Sequence, residues 1–165
     1  MFVHGKLEKP ISIAVLTISD TRTFDTDKGG KLVQKLAEEA GIIVFERKIC
    51  RDDLKEIRQI IQVWCEEKQI DGIITTGGTG IARRDNSIEA ILPLLTKEML
   101  GFGELFRYLS FTEDIGTKAM LSRAIAGVIQ DKAIFVLPGS TGAVKLAMEK
   151  LILPEIGHVV FEIKK

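Results

Sequence analysis

The chain contains 165 residues, of which 45% are hydrophobic and 28% charged, as in folded globular proteins rather than disordered or membrane-spanning ones. Lysine and arginine together number 23, as do aspartate and glutamate, so the formal net charge is zero. Because proteins that bind nucleic acid through its phosphates are normally basic, this balance argues against that class, and any anion site must be built locally.

Strands and helices alternate through the first half of the chain. Apolar runs rich in β-branched residues predict strands at residues 12–18, 42–49 and 71–75. Apolar side chains recur at helical spacing over residues 31–40 and 54–68, between these strands. Such alternation is typical of strands that helical crossovers join into a parallel sheet.

The second half continues with helices and a closely spaced pair of strands. Helical spacing predicts helices over residues 86–95, 98–112 and 141–153. Two apolar runs predict strands at residues 122–130 and 133–137, and the turn between them is too short for a helical crossover. An antiparallel hairpin is therefore expected there. Residues 154–163 fit either a helix or a strand.

Together these elements predict a three-layer α/β/α sandwich with a mainly parallel sheet and a C-terminal antiparallel hairpin. We expect one domain over residues 1–165, with its core at about residues 13–154. The spacing of Phe102, Phe106 and Phe111 favours the core over an intersubunit interface.

Three loops of unusual composition leave predicted strand ends, at residues 19–30, 76–85 and 138–141. In open α/β sheets the ligand crevice lies beyond the carboxyl ends of the strands. We therefore expect these loops to meet at one edge of the sheet and to form the site.

Residues 76–85 form a glycine loop with Gly77, Gly78 and Gly80 close together. Glycines let the backbone approach a ligand closely, and successive N–H groups can bind an anion. The loop lacks the Lys-Ser/Thr of a Walker A motif and the third glycine of the dinucleotide fingerprint. A flexible turn is the alternative interpretation.

Aspartates flank the predicted strand ends. One of Asp52 and Asp53 is expected to cap the following helix, leaving the other free to face the crevice. Asp85 is either a helix cap or a ligand residue, and turns alone would explain Asp20 and Asp27. Carboxylates from two loops, together with substrate phosphates, commonly hold Mg²⁺.

None of the three loops contains histidine, and neither Cys50 nor Cys65 lies beside one, which argues against a Ser–His or Cys–His hydrolase. The loops instead favour phosphoryl or nucleotidyl transfer, in which positioning and charge stabilisation supply most of the catalysis.

Cysteine and histidine are too few and too scattered for a structural zinc site. No apolar run approaches the roughly 18 residues of a membrane span, and residues 1–9 lack the features of a secretory signal. We therefore expect a cytoplasmic protein with reduced thiols and no membrane partner.

The sequence of residues 75–85 (TTGGTGIARRD) resembles the signature of the MoaB/Mog family of molybdenum-cofactor biosynthesis proteins. Other segments agree with it, at residues 17–20 (TISD), 27–29 (DKG), 101–110 (GFGELFRYLS), 120–127 (MLSRAIAG) and 137–140 (LPGS). The resemblance covers residues 13–154 and is strongest to the family's B branch.

The resemblance implies a homotrimer or homohexamer that transfers AMP from Mg²⁺-ATP to molybdopterin and releases pyrophosphate, with a molybdenum insertase as a possible partner. It assigns Asp52 and Asp85 to catalysis and Mg²⁺ binding. It places the following residues at the nucleotide or molybdopterin: Ser19, Asp20, Asp27, Thr76, Gly77, Gly78, Thr79, Gly80, Ser110, Pro138, Gly139 and Ser140.

One residue departs from the family pattern. Active transferases of the family often have proline before the acidic residue that Asp52 matches, and here that residue is Arg51. The alternative is a non-catalytic molybdopterin-binding or scaffold protein of the same pathway. The presence of both Asp52 and Asp85 favours the enzyme.

Overall fold

The computed structural model describes residues 9–165. Of residues 1–9, for which we expect no secretory signal, all but Lys9 lie outside that range. Within it, six strands form one sheet in the order β2-β1-β3-β6-β5-β4. They are β1 (Ser12–Ile18), β2 (Ile43–Cys50), β3 (Gly72–Thr76), β4 (Lys97–Glu98), β5 (Ile125–Ile129) and β6 (Lys132–Leu137).

Helices cover both faces of this sheet. They are α1 (Lys28–Glu39), α2 (Leu54–Glu66), α3 (Ser87–Ile91), α4 (Leu100–Glu113), α5 (Thr141–Ala147) and α6 (Leu153–Lys164). One apolar layer contains buried side chains of α1, α4, α5 and α6, and the other contains those of α2 and α3. Among the described residues, no helix is both long enough and apolar enough to cross a membrane.

The sheet has the expected mixed topology. Strands β2, β1, β3 and β6 run parallel, whereas β5 pairs antiparallel with both β6 and β4. Strand β1 is buried along its whole length, as a strand covered by helices on both faces must be. The structure confirms the three-layer α/β/α sandwich and the antiparallel hairpin.

Several element boundaries differ from those predicted. Helix α1 begins at Lys28 rather than at residue 31, because Asp27 caps it. The predicted helix over residues 98–112 begins only at Leu100, since Lys97–Glu98 pair with β5 as a short strand. The predicted strand over residues 122–130 is shorter, and only Ile125–Ile129 pair with β6.

In the second half of the chain the structure decides one prediction that was left open and shortens another. Residues 154–163 are helical, because α6 continues from α5 through a π-helical turn at Met148–Ile152, just before Pro154, whose missing N–H interrupts the hydrogen-bond ladder. Residues 86–95 form only the short α3, followed by a 3₁₀ turn at Leu92–Leu94. Phe102 and Phe106 lie in the core as expected, whereas Phe111 is 54% exposed.

A buried carboxylate ties the start of the sheet to the end of α6. Asp71 is 2% exposed, and its Oδ2 accepts a hydrogen bond from the Ser12 N–H at 2.9 Å. Its Oδ1 pairs with the Lys164 ammonium group. This contact lies at the amino ends of β1 and β3, opposite the loops that follow them.

We predict that Asp71→Ala lowers the free energy of unfolding by about 2–4 kcal/mol, because it leaves a buried N–H without an acceptor and a lysine without its partner. Urea denaturation measures the change. Glu39→Ala is the control, since it breaks the exposed Lys35–Glu39 pair and should cost less than about 0.5 kcal/mol. Equal losses in the two variants would contradict this assignment.

Candidate functional site

Three neighbouring parallel strands bring the predicted loops together. In the sheet Thr17 of β1 pairs with Thr76 of β3, and Thr76 pairs with Leu137 of β6, so the strands end side by side. The Gly77 N–H donates to the Leu137 carbonyl at 2.9 Å, which continues the pairing by one residue. The expectation that these loops meet at one sheet edge is confirmed.

Two adjoining clefts open among the described residues at this edge. The first has a volume of about 470 Å³ and lies between the loop after β1, the start of α1 and the start of α5. It is lined by Thr17, Ile18, Ser19, Arg22, Asp27, Lys28, Gly29, Thr76, Gly77, Gly139, Ser140 and Thr141. The starts of α1 and α5 present backbone N–H groups to it, and Arg22 and Lys28 add positive charge.

The second cleft has a volume of about 400 Å³ and shares Gly77, Gly139 and Ser140 with the first. Its other lining residues are Gly78, Thr79, Gly80, Asp85, Phe106, Ser110, Asp114, Ile115, Lys118, Leu121, Ser122, Pro138 and Ala143. The shared residues therefore form a common wall between the two clefts.

The glycine loop adopts a backbone that other residues would not tolerate. Gly77 and Gly78 have φ angles of 92° and 68°, in the left-handed region. A Cβ at Gly77 would lie 2.3 Å from the Ile18 carbonyl oxygen, and one at Gly78 would lie 2.6 Å from Asp52 Oδ2. Glycine is therefore required for both the turn and the close approach of Asp52.

The structure shows which of Asp52 and Asp53 caps the helix, a choice that the sequence left open. Asp53 caps α2, accepting hydrogen bonds from the N–H groups of Lys55 and Glu56 at 3.0 Å. Asp52 turns toward the glycine loop, where its Oδ1 accepts from the Asn86 N–H at 2.9 Å. The capping aspartate is thus Asp53, whereas Asp52 contacts the glycine loop and is not among the residues that line the two clefts.

Asp52 is held in an acidic environment. Its backbone N–H donates to Asp20 Oδ1 at 2.9 Å, which gives Asp20 a positioning role. Partial burial raises the pKa of Asp52, and the charges of Asp85 and Asp20 add to that effect against the opposing Asn86 hydrogen bond. A cation bound between these carboxylates would relieve their repulsion.

Asp85 closes the other end of the loop. Its Oδ2 accepts from the Ala82 N–H at 3.0 Å and would lie 2.6 Å from a Cβ at Gly80. The residue that precedes α3 as its cap is Asn86, so Asp85 is not a helix cap. Asp52 and Asp85 therefore contact the same glycine loop.

Asp27 is buried, and its carboxylate makes hydrogen bonds within the protein. It is 2% exposed, caps α1 through the Gly30 N–H at 2.9 Å, and accepts from Thr17 Oγ1 at 2.7 Å. Thr76 Oγ1 lies 3.4 Å from that same threonine oxygen. Asp27 thus fixes the start of α1 at the wall of the first cleft.

The remaining predicted residues line the clefts. Ser140 caps α5 by accepting from the Ala143 N–H at 3.2 Å, and Ser110 of α4 is 2% exposed at the second cleft. Neither cysteine lines a cleft. Burial raises the pKa of the Cys50 thiol to about 12, and the charge of Glu56 contributes further. Such a thiol is protonated at neutral pH and is no nucleophile.

Sequence patterns did not reveal several residues of the site. Arg123 donates to the Thr79 and Gly80 carbonyls at 3.2 and 3.0 Å, and Ser87 Oγ donates to the Gly77 carbonyl at 2.6 Å. Lys118 brings a positive charge to the second cleft. All three come from outside the predicted loops, and an arginine in a short segment before a strand carries no local signal of such a contact.

The carboxylates of Asp52 and Asp85 suit Mg²⁺ better than they suit a metal ion that takes all its ligands from the protein. Among the described residues, no group of three or more histidine, cysteine, aspartate or glutamate side chains could hold a metal ion. Mg²⁺ does not need such a group, because it commonly binds one or two carboxylates together with substrate phosphates and waters. Asp52 and Asp85, beside a loop suited to phosphates, match that pattern.

Comparison with known proteins gives consistent relatives. A family model described as a probable molybdopterin binding domain matches residues 14–158. Molybdenum cofactor biosynthesis protein B of Staphylococcus epidermidis is 56% identical over 162 residues, covering 96% of this chain and 92% of that protein.

Solved structures agree in fold. A crystal structure of molybdenum cofactor biosynthesis protein B has a TM-score of 0.93 and 51% identity, covering 96% of this chain and 99% of that one. The tungsten cofactor synthesizing protein MoaB of Pyrococcus furiosus has a TM-score of 0.84 and 36% identity, covering 96% of this chain and 100% of that one. With this identity and coverage, the chain belongs to the MoaB/Mog family of molybdenum cofactor biosynthesis proteins.

Proposed function

We propose that this chain, a protein of molybdenum cofactor biosynthesis, transfers AMP from ATP to the terminal phosphate of molybdopterin and releases pyrophosphate. The observation that carries the proposal is the pair Asp52 and Asp85, which contact one glycine loop beside two adjoining clefts. A reaction between two phosphate-bearing ligands needs adjoining pockets, N–H donors for the phosphates and carboxylates for a metal ion.

In this reaction a phosphate oxygen of molybdopterin attacks the α-phosphorus of ATP. A new P–O bond forms, the bond to the β-bridging oxygen breaks, and pyrophosphate leaves with that electron pair. The attacking monoester is mostly dianionic at neutral pH, since its second pKa is about 6. It therefore needs no protein base, which agrees with the lack of histidine among the residues that line the two clefts.

Mg²⁺ would be held by Asp52 and Asp85, where it would neutralise phosphate charge. The residues proposed to bind nucleotide or molybdopterin are Ser19, Asp20, Asp27, Thr76, Gly77, Gly78, Thr79, Gly80, Ser110, Pro138, Gly139 and Ser140. Asp20 and Asp27 accept hydrogen bonds from the backbone N–H groups of Asp52 and Gly30 and so orient those segments. The glycine loop and Ser110 line the second cleft.

A second candidate is a molybdopterin-binding protein without transferase activity. The observation that favours it is Arg51, whose Nε donates to Glu56 Oε1 at 2.9 Å on the exposed side of α2. This arginine replaces the proline that often precedes the acidic residue in active transferases of the family. Such a protein would bind molybdopterin but release no pyrophosphate from ATP.

We further propose a homotrimer or homohexamer in the cytoplasm that delivers its product to a molybdenum insertase. Support for self-association comes from an apolar surface on α4 and the turn after it, where Leu105, Tyr108, Phe111 and Met120 are 54–82% exposed. Reduced cysteines agree with a cytoplasmic location, since Cys50 and Cys65 are both free.

We predict that Asp85→Asn reduces AMP transfer at least a hundredfold while molybdopterin still binds. Asparagine can keep the hydrogen bond from Ala82 but not the charge. The measurement is formation of adenylylated molybdopterin and of pyrophosphate in parallel.

Asp53→Asn is the matched control for that substitution. It also removes one negative charge near the site, but asparagine caps a helix as well as aspartate does. Turnover within about twofold of the original protein is expected. The assigned role of Asp85 would be wrong if its variant turned over as fast as this control.

We predict that Mg²⁺ raises the melting temperature and that Asp52→Asn abolishes the effect. At a Mg²⁺ concentration ten times its dissociation constant the gain is about 1.4 kcal/mol. Because metal binding needs the ionised carboxylate, the gain is present above the raised pKa of Asp52 and lost as the pH falls through it. Thermal unfolding with and without Mg²⁺ across this pH range measures both effects.

Without metal, Asp52→Asn should be neutral or stabilising at pH 7. The folded state binds the Asp52 proton more strongly than the unfolded state, so ionisation of this group opposes folding above its folded pKa. Undiminished stabilisation of the variant by Mg²⁺ would exclude Asp52 as a ligand.

A further inference from the structure

In the glycine loop, the four carbonyl groups of Gly77 to Gly80 each accept a hydrogen bond from Ser87 or Arg123. Ser87 accounts for two of them, donating from Oγ to Gly77 O at 2.6 Å and from its N–H to Gly78 O at 3.0 Å. Arg123 accounts for the next two, donating from Nε to Thr79 O at 3.2 Å and to Gly80 O at 3.0 Å.

These bonds determine where the N–H groups point. In a trans peptide the C=O and the following N–H point in opposite directions, and the described residues contain no cis peptide. The N–H groups of Gly78 and Thr79 therefore point away from Ser87, and the N–H group of Gly80 points away from Arg123. Among the described residues none accepts a hydrogen bond from them, and all three residues line the second cleft.

The guanidinium of Arg123 is itself fixed. Its Nη1 pairs with Glu89 Oε1 of α3 at 2.5 Å, and its Nη2 lies 2.6 Å from Gly80 O and 3.5 Å from the Asp85 carbonyl. The side chain is 30% exposed. A planar fork with five donors can bind two carbonyls and a carboxylate at once, which the single ammonium of lysine cannot reproduce.

We infer that Arg123 is a positioning residue that aims the Gly80 N–H at an oligophosphate by holding the Thr79 carbonyl on the opposite side of that peptide, beside the Gly78 and Thr79 N–H groups that Ser87 orients in the same way. The phosphate class of the ligand rests on the proposed function. Arg123 itself does not touch the ligand and acts through the backbone it holds.

The test compares binding of Mg²⁺-pyrophosphate to the intact chain and to Arg123→Met by calorimetry, with thermal unfolding of each. We expect the affinity to fall roughly tenfold to a hundredfold, as a displacement of about 1 Å in a positioned group can produce. Arg58→Met is the matched control. Arg58 is also half-buried and donates to two backbone carbonyls, Ala90 O at 3.1 Å and Glu89 O at 3.0 Å, but not to the glycine loop.

Amide NMR separates positioning from a loss of stability. In the intact chain and in Arg58→Met, pyrophosphate should shift the amide resonances of Gly78, Thr79 and Gly80. In Arg123→Met the shift of the Gly80 amide should be lost, because Arg123 holds the carbonyl of the preceding residue Thr79. Arg123→Lys retains the positive charge and serves as a second variant in case Arg123→Met does not fold. It should bind pyrophosphate more weakly than the intact chain.

Two results would overturn the inference: pyrophosphate affinity unchanged in either Arg123 variant, or no binding by the intact chain. AMP transfer measured on the same samples distinguishes this inference from the proposed function. If the intact chain binds pyrophosphate, Arg123→Met weakens that binding and the intact chain transfers no AMP, the proposed function fails alone. If it transfers AMP and Arg123→Met does so with unchanged KM for ATP, the inference fails alone.

Discussion

The backbone groups at the carboxyl ends of β1, β3 and β6 must find hydrogen-bond partners beyond the last pairs of the sheet, and the site follows from how they do so. The Gly77 N–H still reaches the Leu137 carbonyl, but the chain then turns into a loop whose carbonyls are bound by Ser87 and Arg123. Asp27 and Ser140 each accept from one N–H group, of Gly30 at the start of α1 and of Ala143 at the start of α5. The same polar contacts that end the strands thus form the walls of the two clefts.

The neutral net charge conceals a sharply divided edge of the sheet. Asp52, Asp85 and Asp20 place negative charge beside the glycine loop, and partial burial, with the charges of Asp85 and Asp20 adding to it, raises the pKa of Asp52. Arg22, Lys28 and Lys118 place positive charges in the clefts beside it. Under the proposed function, the acidic side would attract Mg²⁺, and the basic residues and N–H groups would attract phosphates. Bulk composition could not reveal this division, because the two sets cancel.

Much of the fold was predictable because its determinants are local. Buried strands such as Ser12–Ile18 read as continuous apolar runs, and parallel topology then required the following loops to meet at one edge. Boundaries were predicted less well where a side chain or a distant strand decided them. Asp27 extended α1 backwards, and pairing with β5 drew Lys97 and Glu98 into a strand.

The site was predictable to the extent that it lies in the loops themselves. The glycine loop, and the cap that one of Asp52 and Asp53 provides, follow from spacing and from helix capping, but the structure was needed to identify Asp53 as the cap. Arg123, Ser87 and Lys118 do not, since their contacts with the site depend on segments far apart in sequence. Phe111 was placed in the core by its helical spacing, yet it is 54% exposed on a surface that a second copy of the chain could cover.

The most direct test of the central claim is a single-turnover reaction of the purified chain with molybdopterin and Mg²⁺-ATP, followed by separation of the products. We expect adenylylated molybdopterin and pyrophosphate in equal amounts, with neither formed when molybdopterin is omitted. Tight binding of molybdopterin with no release of pyrophosphate would contradict it and would identify the chain as a binding protein of the pathway.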